Sequence, residues 1–369
     1  MKTIHLLYFI HDLAPFGAQR VVLNTVKHLD SHTFKVTVCS FSGNETLSKE
    51  LIKYGVEVIL LRAKRFLDFF AWIKFIIYLI RSRPDIIQTN LPELSFFVRL
   101  IALFLRNVHV VHNIQNPIAS EPFYWRLINY TTLVLCNAIV FCSQGICNDA
   151  RLKSQYVLKK TFVVQNGMEI DHVNDASMEK LHQELCIDKN ESIVACIGRL
   201  SEQKGQDTLI EALSILLKNK RKLKLLLAGD GPMCQKLTEI AERLKVKQEI
   251  IFLGERRDVS RILHISDVYA APSRWEGLSL ALGEAMLSRK PCVATSIPGH
   301  ADILHNNITG IAVPPDNAEA LANGIDWLLS HPDEAEKMAA VASDFIRKNF
   351  STHEMAKKFE KIYLSLLKR

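Results

Sequence analysis

Short apolar runs rich in β-branched residues alternate along this chain with longer segments of helical periodicity, and this alternation constrains the fold more than any other feature. In the first half of the chain the runs predict strands at 4–10, 35–40, 56–60, 85–89, 108–112, 138–142 and 161–165. Amphipathic stretches such as 19–29 and 72–82 predict helices between them. A strand-helix-strand series of this kind is typical of a parallel sheet.

A polar stretch of 15 residues, NGMEIDHVNDASMEK, interrupts the series before it resumes. The second series predicts strands at 192–197, 223–228, 249–253, 267–270, 292–295 and 310–313. A chain of 369 residues also exceeds what one hydrophobic core usually serves. The sequence therefore predicts an α/β protein with two doubly wound, Rossmann-like domains, 1–170 and 171–350, which meet at a hinge near 168–180 and face a central cleft. A helical segment at 351–369 is expected to extend back to the first domain.

The net charge of +7 is concentrated in the first half, because residues 1–170 carry +8 and residues 171–369 carry −1. The basic half contains RAKRF (62–66) beside an aromatic helical segment, a combination that favours contact with anionic lipid over ordinary scatter of surface charge. No apolar run approaches the ~20 residues that span a bilayer, since Asp68, Lys74 and Arg99 interrupt the longest runs. We expect a protein that contacts the inner face of the cell membrane without crossing it.

The eight cysteines lie mostly in apolar runs, without a C-x-x-C motif, and are predicted to be reduced thiols of a cytoplasmic protein. The closest group, CSQGIC (142–147), is an alternative metal site but lacks four ligands. The fingerprints G-x-G-x-x-G and G-x-x-x-x-G-K-[ST] do not occur in the sequence, which argues against dinucleotide-binding and P-loop enzymes. AGDGP (228–232) follows a predicted strand and is expected to form a tight turn.

Two carboxylates, Glu276 and Glu284, lie in the otherwise small and apolar segment RWEGLSLALGEAM. If helical geometry ran throughout, their backbones would be ~12 Å apart and roughly 80° apart around the axis. That separation is too large for a glycosidase pair or for two ligands of one metal. It suits the two ends of one long ligand, such as a nucleotide sugar. Solvated surface charge is the alternative, and the apolar neighbours disfavour it, because a buried unpaired charge is costly.

Four further residues carry chemistry in the segments at or after the predicted carboxyl ends of strands. Arg199 and Lys204 lie between the strand at 192–197 and a helix that begins near Gly205, and two cations beside a helix amino terminus favour a polyanion. His112 ends a strand and is expected to point into the cleft. Gly17 begins the first helix, where the absence of a Cβ atom allows close approach of a ligand.

The chain resembles the family 4 (group 1) retaining glycosyltransferases, which have the GT-B fold. This resemblance implies that 1–170 is the acceptor-side domain and that 171–350 is the nucleotide-sugar-binding domain. The resemblance covers almost the whole chain and is carried by FGAQRV, VVHN, VVQNG, IGRLSEQKG, LLAGDGP, IIFLG, RWEGLSLALGEAM and NITGIAVPP. Its most specific parts are the E-x7-E motif at Glu276 and Glu284 and the R-x4-K motif at Arg199 and Lys204. One departure is Phe16, because the family often has two glycines where this chain has Phe16 and Gly17.

The resemblance implies a role for each of these residues. The donor's diphosphate would be held by Arg199 and Lys204, which would also stabilise charge on the leaving group. Glu276 would bind the hydroxyls of the donor sugar, and Glu284 those of the ribose. His112 would contact the sugar near its reacting carbon, and Gly17 would let the first helix approach the diphosphate and the acceptor. Further phosphate contacts would come from the backbone amides of Gly277, Leu278, Ser279 and Leu280.

The implied activity is the transfer of a hexosyl or N-acetylhexosaminyl group, with retention of configuration, from a uridine diphosphate sugar to a lipid-linked or saccharide acceptor. Such a reaction belongs to the synthesis of cell-surface polysaccharide, including lipopolysaccharide. No D-x-D triplet occurs in the sequence, so we expect no essential metal and no cofactor beyond the donor. Nucleic acid is not an expected partner. The alternatives are a nucleotide-sugar epimerase, a sugar phosphorylase, or a partner subunit that binds nucleotide sugar without catalysis.

Overall fold

The computed structural model of the chain describes residues 3–15, 17–170, 181–188 and 190–368. Two compact units emerge from the contacts within the chain. Unit 1 comprises residues 1–167 and 352–369, and unit 2 comprises residues 168–351. Phe16 and most of the expected hinge, 171–180, lie outside the described residues.

Unit 1 contains a sheet whose described strands are all parallel. The strands are β1 (Ile4–Ile10), β2 (Phe34–Ser40), β3 (Glu57–Leu60), β4 (Ile86–Thr89), β5 (His109–Ile114), β6 (Ala138–Phe141) and β7 (Thr161–Val163). Their order in the sheet is β3-β2-β1-β4-β5-β6-β7. Because β1 lies beside both β2 and β4, the chain winds outward in both directions from β1, which is the doubly wound pattern.

Helices connect the strands of unit 1. They are α1 (Gly17–His28), α2 (Ser48–Lys53), α3 (Phe69–Ser82), α4 (Pro92–Ala102), α5 (Phe123–Thr132), α6 (Gln144–Asp149) and α7 (Gln155–Leu158). The last helix of the chain, labelled α14 below (Thr352–Leu367), also packs on this sheet. The buried hydroxyl of Tyr363 on α14 donates to Gln88 Oε1 at 2.6 Å and is 3.0 Å from the hydroxyl of Tyr8.

Unit 2 repeats the pattern with strands β8 (Ser192–Ile197), β9 (Leu223–Ala228), β10 (Ile250–Gly254), β11 (Val268–Ala271), β12 (Cys292–Thr295) and β13 (Ile311–Val313). Its described strands are parallel, in the order β10-β9-β8-β11-β12-β13. The helices are α8 (Gln206–Lys218), α9 (Cys234–Arg243), α10 (Val259–Ile265), α11 (Leu280–Leu287), α12 (Ala318–Ser330) and α13 (Pro332–Asn349). Its core residues include Val194, Leu213, Leu225 and Ile325, which are all buried.

The predicted fold class is confirmed, because both units are doubly wound parallel sheets with helices between the strands. Every predicted strand is present, and the bounds differ by at most two residues at either end. The agreement has a physical reason. Strands of a parallel sheet are buried on both faces and therefore form nearly continuous apolar runs that stand out in the sequence.

Candidate functional site

The strand order of unit 2 brings two loops together. The chain leaves β8 at Ile197 and enters loop 198–205, and it leaves β11 at Ala271 and enters loop 272–279. These strands are neighbours, with Val268 opposite Val194, although they are distant in sequence. The order of the sheet reverses between them, and doubly wound sheets bind ligands at the carboxyl ends of the strands at such a point.

Lys204 and Glu276 meet where the two loops approach each other. The Lys204 ammonium lies 2.5 Å from Glu276 Oε1, and the same oxygen accepts a hydrogen bond from the Ser273 hydroxyl at 2.9 Å. Gln203 Nε2 approaches Glu276 Oε2 at 3.4 Å. Glu276 is only 6% exposed. The structure therefore joins one residue from each predicted motif into a single charged pair that is largely shielded from water.

Arg274 fastens the two loops to each other. Its backbone N–H donates to the carbonyl of Gln203 at 2.8 Å, and its guanidinium donates to the carbonyl of Glu202 at 2.7 Å. The guanidinium also pairs with Asp207 at 2.9 Å and Asp316 at 2.7 Å. The position of Glu276 relative to Lys204 is thus fixed by the backbone as well as by the ion pair.

Two glycines allow the backbones at this site to approach closely. Gly205, at the amino terminus of α8, has a φ of +62°, and a Cβ atom there would overlap the carbonyl oxygen of Pro272. Gly299 faces loop 272–279 in the same way, because a Cβ atom at this position would overlap the carbonyl oxygen of Glu276. A side chain at either position would displace the loop that carries Glu276.

The segment at Arg199 is held by its backbone. Gln206 Nε2 donates to the Arg199 carbonyl at 3.0 Å, and the N–H of Leu200 donates to the Asp230 carbonyl at 3.0 Å. Asp230 belongs to AGDGP, which follows the neighbouring strand β9. The expected turn therefore also braces the loop that carries Arg199 and Lys204.

Glu284 and Glu276 occupy different kinds of local structure. The helix α11 begins at Leu280, after the cap residue Ser279, so Glu276 precedes the helix and Glu284 lies in its second turn. The helical separation considered from the sequence therefore does not apply to this pair. The residues Gly277, Leu278 and Ser279 are buried, and they lead with Leu280 into the amino terminus of α11. Glu284 is buried as well.

Sequence reasoning missed a further layer of support beneath Glu276. The Thr295 hydroxyl donates to the carbonyl of Ser273 at 2.5 Å, and the fully buried His300 ring donates from Nδ1 to the Thr295 carbonyl at 2.8 Å. Burial lowers the pKa of His300, so its ring is neutral at pH 7. The sequence signal for this layer is a polar residue at the end of β12, Thr295, and another two positions after β11, Ser273.

Unit 1 holds the other two predicted site residues. His112 lies within β5, which continues two residues beyond the predicted end, and its Nδ1 is 3.4 Å from the Thr89 hydroxyl. Burial and the charge of Arg99 hold the pKa of His112 well below its usual value, so the ring is neutral. Gly17 begins α1, and the loop before it is held by Asp12 Oδ1, which accepts from Ala14 N–H and Gln19 Nε2.

Two doubly wound units in one chain, with a cation and a carboxylate at the switch point of the second, are the arrangement expected of a GT-B glycosyltransferase. Comparison with known families agrees. Residues 16–172 match the family described as Glycosyltransferase Family 4, and residues 177–344 match Glycosyl transferases group 1. The chain belongs to this family of glycosyltransferases, as its motifs predicted.

Individual relatives show similarity along the chain. The UDP-Gal:alpha-D-GlcNAc-diphosphoundecaprenol alpha-1,3-galactosyltransferase of Escherichia coli is 25% identical over 315 residues, which cover 80% of each chain. N-acetyl-alpha-D-glucosaminyl L-malate synthase of Bacillus anthracis is 25% identical over 52% of this chain and 50% of its own. The crystal structure of Anabaena Alr3699/HepE in complex with UDP and glucose superposes with a TM-score of 0.86 over 98% of this chain and 100% of its own, at 19% identity.

Proposed function

We propose that this glycosyltransferase moves a hexosyl or N-acetylhexosaminyl group from UDP-sugar to a lipid-linked saccharide acceptor, with retention of configuration, in the synthesis of a cell-surface polysaccharide. The observation that carries the donor assignment is the buried contact between Lys204 and Glu276 at the switch point of unit 2. A cation and a carboxylate from adjacent strands complement the diphosphate and the sugar hydroxyls of one ligand. The Anabaena relative bound to UDP and glucose supports this choice of donor.

In the proposed donor complex, Lys204 and Arg199 bind the diphosphate. Lys204 then leaves Glu276 for the phosphate, and Glu276 turns to the sugar hydroxyls. Glu284 binds the ribose. The amides at 277–280 add phosphate contacts at the amino terminus of α11, where the helix dipole favours an anion.

In the proposed reaction, the acceptor oxygen bonds to the anomeric carbon on the face from which the nucleoside diphosphate departs. The acceptor proton passes to the departing phosphate oxygen. Lys204 and Arg199 stabilise the charge that develops on that phosphate, the role that a metal has in other transferases. His112 contacts the sugar near the reacting carbon, and Gly17 allows α1 to approach the diphosphate and the acceptor.

Apolar side chains on the surface of unit 1 support a membrane partner. Phe69, Phe70 and Phe104 are 69%, 73% and 88% exposed. Ring contacts join the helices of this region, because Trp72 on α3 stacks on Phe97 of α4 and Phe96 of α4 contacts Trp125 of α5. The exposed cations Lys64 and Arg65 flank α3. None of the helices in the described part of the chain is both long enough and apolar enough to cross a bilayer. We propose contact with anionic lipid at the cytoplasmic face.

The proposal is tested by offering the purified protein radiolabelled UDP-hexoses and UDP-N-acetylhexosamines with a synthetic acceptor, N-acetylglucosaminyl diphosphate esterified to a short alkyl chain. This acceptor resembles the one named for the Escherichia coli relative. Label in the lipid product, with the anomeric configuration of the donor by NMR, is the expected result. Turnover of donor with no acceptor at an undiminished rate would indicate an epimerase instead. Absence of any turnover with all donors would contradict the proposal.

A further inference from the structure

Glu121 lies at the edge of unit 1 where doubly wound sheets bind ligands. It is in the segment that follows β5, directly before α5 begins at Phe123. The carboxyl ends of the parallel strands meet at this edge.

A buried frame fixes one side of the Glu121 carboxyl group. Its Oε2 accepts a hydrogen bond of 2.6 Å from Asn129 Nδ2 on α5, and Asn129 Oδ1 in turn accepts from the Arg99 guanidinium at 3.3 Å. Arg99 is only 1% exposed and also donates to Ser95 and Thr132. The other oxygen, Oε1, accepts no hydrogen bond from any residue that the structure describes. Glu121 is therefore held in one orientation with an acceptor left open at a half-buried position.

Ionisation of this carboxyl group works against stability. Burial raises the pKa of Glu121, the charge of Glu93 on α4 adds to this rise, and the hydrogen bond from Asn129 and the charge of Arg99 oppose it. The resulting pKa is about 7. A glutamine could accept the same hydrogen bond from Asn129 without this penalty. A charged group that costs stability and keeps one oxygen open is typical of a functional position.

The surroundings of Glu121 suit a saccharide. The rings of Phe123 and Tyr124, on the first turn of α5, are 70% and 58% exposed. Ligand sites commonly combine aromatic surface with a few fixed polar groups that set orientation. The charge of Arg99 lowers the pKa of both His112 and Glu121.

We propose that the Glu121 carboxylate binds hydroxyl groups of the acceptor saccharide, and that Phe123 and Tyr124 pack against its ring. This inference rests on the proposed function and assigns the acceptor site within unit 1. The test compares Glu121→Gln with the wild type in initial-rate assays with the short-chain acceptor, without membranes. At pH 8 the kcat/KM for acceptor is expected to fall about 10- to 150-fold, the loss expected for a hydrogen bond to a charged group. The KM for donor and the affinity for UDP should not change.

Two further readouts separate a binding role from a structural one. In the wild type, kcat/KM for acceptor should rise between pH 6 and pH 8 with a midpoint near 7, as Glu121 ionises, and in Glu121→Gln this rise should be absent. The melting temperature of Glu121→Gln at pH 8 should equal or exceed that of the wild type. A lower melting temperature, or unchanged acceptor kinetics, would overturn the inference.

A second variant avoids the buried frame. Phe123→Ala removes an exposed ring and should reduce kcat/KM for acceptor with the melting temperature unchanged, whereas Tyr156→Ala, a matched exposed ring on α7, should reduce neither. If Phe123→Ala and Tyr156→Ala behave alike, the packing role is wrong. If the wild type transfers no sugar to any acceptor, the proposed function fails. If it transfers normally and Glu121→Gln does too, only the assignment of Glu121 fails.

Discussion

Replacing Glu276 by glutamine removes the charge that Lys204 contacts, and this change should separate donor binding from transfer. Lys204 loses a carboxylate partner at 2.5 Å, so its ammonium becomes more available to a diphosphate. We expect the affinity for UDP to be equal to or higher than that of the wild type. Transfer should fall about 10- to 150-fold, since a hydrogen bond between the carboxylate and a sugar hydroxyl contributes roughly 1.5 to 3 kcal/mol.

The contrasting variant is Glu284→Gln on α11. If Glu284 binds the ribose, this change should weaken UDP and intact donor alike, by a similar factor, because both ligands contain ribose. Calorimetric titration with UDP, set beside initial transfer rates, measures the two effects separately. Glu319→Gln, an exposed carboxylate on α12, is the control and should alter neither quantity. The melting temperature of each variant shows whether its site is folded.

The reasoning would be refuted by two outcomes. Equal losses of UDP affinity in Glu276→Gln and Glu284→Gln would mean that the two carboxylates do not bind different parts of the donor. Unchanged affinity for UDP and an unchanged transfer rate in both variants would mean that neither carboxylate contacts the donor.

Three other predictions follow from the same structure. Transfer should survive excess EDTA, and loss of activity that Mg²⁺ or Mn²⁺ restores would contradict the role given to Lys204 and Arg199. The double variant Phe69→Ser, Phe70→Ser should co-sediment less with phosphatidylglycerol vesicles than the wild type, whereas Ile308→Ser, which changes an exposed apolar residue of unit 2, should not. Equal binding of the wild type to phosphatidylcholine vesicles, or binding that is insensitive to salt, would count against contact with an anionic surface. Gly299→Ala should destabilise unit 2 by at least about 1 kcal/mol and lower its melting temperature by roughly 2 to 4 °C, because the new Cβ atom would overlap the Glu276 carbonyl. Gly43→Ala is the control and should leave the melting temperature unchanged, because the space around Gly43 is open.

Sequence pattern predicted the fold because each element is a local feature. The strands of both sheets are short apolar runs, and the helices between them show helical periodicity. Both kinds of element can therefore be predicted from adjacent residues, without information from distant parts of the chain. The glycosyltransferase family was likewise predictable, since its motifs are contiguous stretches. The helical geometry considered for Glu276 failed because α11 begins only at Leu280, after the cap residue Ser279, so Glu276 lies in the loop before the helix.

The contacts of the site could not be predicted in the same way. Lys204 and Glu276 are 72 positions apart, and they meet only because β8 and β11 are neighbours in the sheet. The anchoring by Arg274 and the support from Thr295 and His300 depend on the same strand order. Glu121 was hidden for a different reason: its environment is set by Asn129 and Arg99, whose burial the sequence does not reveal.

The measurement that tests the central claim most directly is the affinity of nucleoside diphosphates for Lys204→Met, by calorimetric titration with UDP and the other common nucleoside diphosphates. If Lys204 and Glu276 mark the donor site, the wild type binds at least one of them, and Lys204→Met binds it about 10-fold or more weakly, the loss expected for one charge-assisted hydrogen bond. Lys218→Met, which removes an exposed lysine at the end of α8, should bind like the wild type. Equal affinity in Lys204→Met and Lys218→Met would contradict the assignment of the donor to this switch point.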